Sequence, residues 1–176
     1  LLLGILHLKA GRDSDAAQRI ATALELEPES PAANFWMGRI ALERLENLSN
    51  ANAYFNRAQL HWGSNRGPEY AALLHGLAYT CYFLDRTPLS AEGSPYPMAR
   101  AKLEQSLDYW TRLREQVGRN YLLDYALGGV YLRLGELELA RGMQASVIED
   151  LSRYLKDFSE NRSYISRDLR RRIEVL

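Results

Sequence analysis

Residues 16–30 read AAQRIATALELEPES, and the reading of this stretch decides the fold. Ala16, Ile20 and Ala23 fall on one face at helical spacing, a large side chain between two small ones, before Pro28 closes the run. Upstream, Gly4 interrupts the apolar run LLLGILHL. Downstream the same two signals return in the same order. Gly38 is followed by Ala51, Phe55 and Ala58, Gly76 by Ala99, Leu103 and Ser106, and Gly128 by Ala140. The four glycines are spaced 34, 38 and 52 residues apart, so one unit recurs with insertions of growing length.

Each recurring position has a physical reason. Two helices approach closely only where small residues let their backbones near one another, which Gly4, Gly38, Gly76, Gly128 and Ala16, Ala51, Ala99, Ala140 supply. Phe55, Leu103, Tyr79 and Tyr131 are expected to fill the spaces beside those contacts. By the same reasoning Gly38→Leu and Ala51→Leu should overpack helix contacts. The pattern resembles the tetratricopeptide repeat family: a small residue in helix A, Ala-x3-large-x2-Ala in helix B and a closing proline. The second unit has Trp36 and Met37 before its glycine and one extra residue between its helices, and Gly63 stands where the proline is missing. The third carries about eleven extra residues in DRTPLSAEGSPYP, residues 85–97, and the fourth has Gln144 and Val147 at the usual large and small sites of helix B.

The fold class expected is therefore all-α, a solenoid of antiparallel helix pairs with a C-terminal helix. The units cover about 1–30, 31–66, 67–118 and 119–158, with the insertion 85–97 as a surface excursion, because Pro88, Gly93, Pro95 and Pro97 break helices. Helix A is expected near 1–10, 31–45, 68–84 and 120–134, and helix B near 13–27, 49–61, 98–117 and 136–156. Pro31 and Pro68 suit helix starts, and Gly11, Gly63, Gly118 and Gly135 mark stops. The third helix B is long, since Leu103, Leu107, Trp110, Leu113 and Val117 extend its apolar face. A capping or linking helix at 159–176 would follow Ser163, with Ile165, Leu169, Ile173 and Leu176 on one side.

Composition agrees with a folded chain: 47% of the 176 residues are apolar, and 22 basic residues balance 22 acidic ones. A net charge of zero provides no global field for nucleic acid or an anionic membrane, so nucleic acid is not an expected partner. The run Arg167 to Glu174, with Arg162 ahead of it, reads as the solvated face of the last helix, with no aromatic interleaving for stacking bases. The apolar start is too short to span a bilayer. It begins in mid-pattern without methionine, and we read the chain as a piece of a longer protein. Nineteen arginines against three lysines fit a GC-rich bacterial genome.

No catalytic constellation stands out, and neither cofactor nor metal is expected. His7, His61 and His75 lie on separate units without a second ligand at metal spacing, and Cys81 is the only cysteine. His75 and Cys81 are about 120° apart around one helix, which keeps them from acting as a base and nucleophile. Asn47-Leu48-Ser49 and Asn161-Arg162-Ser163 match a glycosylation sequon but read as helix-start chemistry.

In the family that the pattern resembles, helix A lines a concave groove. The resemblance implies a lining of Ile5, Leu8 and Lys9; Phe35, Arg39, Leu42 and Glu43; Tyr70, Leu73, Leu77 and Thr80; and Leu122, Tyr125, Gly129, Leu132 and Arg133. It is mostly apolar. The Lys and Asn pair with which some members clamp a chaperone's C-terminal carboxylate is missing, since Leu1 and Ile5, Phe35 and Arg39, Leu73 and Leu77, and Tyr125 and Gly129 stand there. The function implied is a non-enzymatic scaffold holding a partner protein's helix or peptide, with Phe35, Arg39, Leu42, Tyr70, Leu73, Leu77, Leu122, Tyr125 and Arg133 as the expected partner-binding residues. Two other readings stay open: an assembly subunit that self-associates through open repeat ends near Leu1, Leu2 and Leu3, and the non-catalytic repeat region of a larger enzyme.

Overall fold

A computed structural model describes residues 1–44, 46–84, 96–118 and 121–140. Seven helices occur among them: α1 (Leu2–Lys9), α2 (Asp13–Leu26), α3 (Pro31–Glu43), α4 (Leu48–His61), α5 (Pro68–Leu84), α6 (Tyr96–Val117) and α7 (Tyr121–Ala140). The chain divides into two compact units, residues 1–84 and 85–176. In the first, each helix packs on the next through α5, and α3 also touches α5, so helix pairs are stacked side by side. In the second, α6 packs on α7.

Local chemistry sets the helix ends. Gly11 has φ 72°, and around it Arg12 N–H donates to the His7 carbonyl at 2.9 Å while Gly11 N–H donates to that of Leu8 at 3.1 Å. This pairing satisfies two carbonyls at the end of α1 and reverses the chain within three residues. Pro31 opens α3, where its missing N–H costs no helical bond. Asn47 caps α4, its Oδ1 accepting from Asn50 N–H at 3.0 Å, in the role its sequence position suggests. Asp13 and Asp15 lie in the first turn of α2, where negative charge suits the helix dipole.

Close contact between helices depends on the glycines. A Cβ at Gly4 would stand 2.7 Å from Ile20 Cγ1 of α2. At Gly38 it would stand 2.6 Å from Phe55 Cδ1, and at Gly76 2.6 Å from Phe55 Cε2. One phenyl ring thus fills the space that two glycines on two helices leave free. Ala16, Ala51 and Ala58 are fully buried in the same contacts, while Phe55 itself is 1% exposed. In the second unit Ala99, Leu103, Ser106, Trp110 and Leu113 form the buried stripe of α6, against Leu123, Leu127, Val130, Tyr131 and Leu134 of α7.

Three expectations need revision. Helix α6 starts at Tyr96, two residues before the boundary drawn after Pro97, because proline at the second helical position removes no intrahelical hydrogen bond. Gly135 ends no helix: α7 runs through it to Ala140, since an interior glycine costs only about 1 kcal/mol and the flanking Leu, Glu and Ala favour helix. Tyr79 is 36% exposed and lies on the aromatic stripe of α5, 4.4 Å from Phe83 between ring centroids, instead of filling an interhelical space. Residues 85–95, the proposed helix B at 136–156 beyond Ala140, the helix at 159–176 with its arginines, and Asn161 lie outside the described residues.

Gly38→Ala and Gly76→Ala should each lower stability by about 1–3 kcal/mol through overpacking against Phe55. Phe55→Leu should reduce the added cost of either change, a non-additivity that thermal or urea melts of the double variants measure. Additive losses would mean that the ring and the glycines do not share one space.

Candidate functional site

The helix A face of the first unit is built on an aromatic cluster at the turn after α4. Trp62 caps α4, and its ring lies 5.7 Å from Phe35 of α3, edge-on, and 6.0 Å from Tyr70 of α5. Its Nε1–H donates to the Asn65 carbonyl at 3.0 Å, which fixes the ring within its own turn. Phe35 also meets Phe55 at 6.3 Å and Trp36 at 5.4 Å. Arg66 lies over the Tyr70 ring at 4.3 Å.

A polar chain, buried at Asn52 and Thr80, runs between α4 and α5. Asn56 Nδ2 donates to Asn52 Oδ1 at 2.9 Å, Asn52 Nδ2 donates to Thr80 Oγ1 at 2.8 Å, and the Thr80 hydroxyl donates to the Gly76 carbonyl at 2.8 Å. It joins α4 to α5. A slip of one helix past the other would leave buried amides without partners, so the chain fixes their register.

These contacts decide where the expected partner-binding residues stand. Phe35 is 2% exposed, Tyr70 5%, and Leu73, Leu77 and Thr80 0%, so these five are core and not an open lining. For Phe35 and Tyr70 the cause is Trp62, which the turn brings back over both; Thr80 is drawn inward by its bond to Asn52. Leu132 is buried as well. Arg39 is half-exposed and ion-paired to Glu43 one turn on, at 2.6 Å from Nη2 to Oε1, with its guanidinium 5.1 Å from the Trp36 ring. Leu42, Ile5, Leu8, Gly129 and Arg133 are half-buried, and Lys9 is exposed. On α7, Leu122 and Tyr125 are 61% and 59% exposed. Desolvation of its ring lowers the His75 pKa below the ordinary imidazole value, opposed by the Glu43 carboxylate, although the residue as a whole is exposed.

The sequence reading passed over two features. The Asn52–Thr80 chain was hidden because isolated Asn and Thr in a helix pattern carry no spacing signal. Leu6, 52% exposed beside Leu2 at 72% and Leu3 at 51%, was hidden in a run that reads as core throughout. Among the described residues no group of His, Cys, Asp and Glu could hold a metal ion.

Phe35→Ala and Leu73→Ala should act on folding, each destabilising by roughly 2–5 kcal/mol because each leaves a cavity. Asn52→Ala should cost about 1–3 kcal/mol by removing the amide that donates to Thr80 Oγ1 across the two helices, while Asn56 keeps its bond to the backbone carbonyl of residue 52. Urea unfolding followed by circular dichroism checks all three, and melts like that of the unaltered chain would remove these residues from the core.

Comparison with known proteins agrees with this architecture. Among curated proteins none matches the sequence. A solved structure of a thermophilic tetratricopeptide repeat protein from Thermus thermophilus is similar in fold, with a TM-score of 0.50 at 22% identity over 99% of this chain and 95% of that one. The family model for the tetratricopeptide repeat matches residues 1–79, which include Gly4, Gly38, Gly76 and the Phe55 ring that packs between the last two. Residues 1–79, a little under half of the chain, are thus similar to the tetratricopeptide repeat family.

Proposed function

We propose that the chain is a scaffold that holds a helix or extended segment of a partner protein on the helix A side of its repeats and performs no chemistry of its own. The repeat fold supports a general role in protein interaction. The observation that carries the finer reading is the pair Leu122 and Tyr125, one turn apart on α7 and both more than half exposed. A leucine and a tyrosine side by side on a helix supply apolar area and a hydroxyl, the combination common at protein interfaces. Arg133 continues α7 at the edge of this proposed contact. In the first unit Arg39 and Leu42 of α3 offer the accessible part of the expected lining, backed by Phe35, Tyr70, Leu73 and Leu77 in the core. Among the described residues no helix is long and apolar enough to cross a membrane.

The double variant Leu122→Ser, Tyr125→Ser should keep the helical content and melting temperature of the unaltered chain. It should lose most of the partner recovered by cross-linking and quantitative mass spectrometry, since truncating one buried interface aromatic costs about 2 kcal/mol or more. Recovery of the same proteins in the same yield would overturn the α7 assignment.

A further inference from the structure

We draw no further inference here: the strongest candidate, the row of His75, Tyr79 and Phe83 along one face of α5, with successive ring centroids 6.2 and 4.4 Å apart and Tyr79 36% exposed, is an aromatic helix face for which nothing in the structure shows what covers it.

Discussion

The first unit depends on one phenyl ring. Phe55 reaches from α4 to the places where Gly38 and Gly76 have no side chain, and a methyl group at either would fall 2.6 Å from its carbons. The ring sets how near α4 lies to both A helices, and hence how near α3 lies to α5. Interiors packed to this density transmit a change of one methyl group, so the glycines and the phenylalanine constrain one another. Ile20 plays the corresponding part at Gly4 with a smaller side chain.

Apolar packing fixes separation but leaves helices some freedom to slide. The Asn52, Asn56 and Thr80 chain removes that freedom between α4 and α5, because hydrogen bonds in a dry interior tolerate little displacement. Trp62 completes the joint from the turn, with Phe35 on one side and Tyr70 on the other. The joint between the second and third repeats thus combines a shape constraint, a polar register and an aromatic closure. That leaves less of the helix A face open than the amount of apolar sequence on α3 and α5 suggests.

The fold was legible because glycine and alanine at helix contacts leave a spacing that insertions shift without erasing, as Gly4, Gly38 and Gly76 demonstrate. Helix ends were legible where backbone chemistry is special, at Gly11 and Asn47. Gly135 misled because glycine marks a stop only when the chain needs a positive φ there, and a single sequence does not reveal that need. The groove was less legible for a different reason. Helical periodicity places Phe35 and Arg39 one turn apart on one side, but it cannot foresee that a tryptophan 27 positions after Phe35 folds back to cover the first and leaves the second half-exposed.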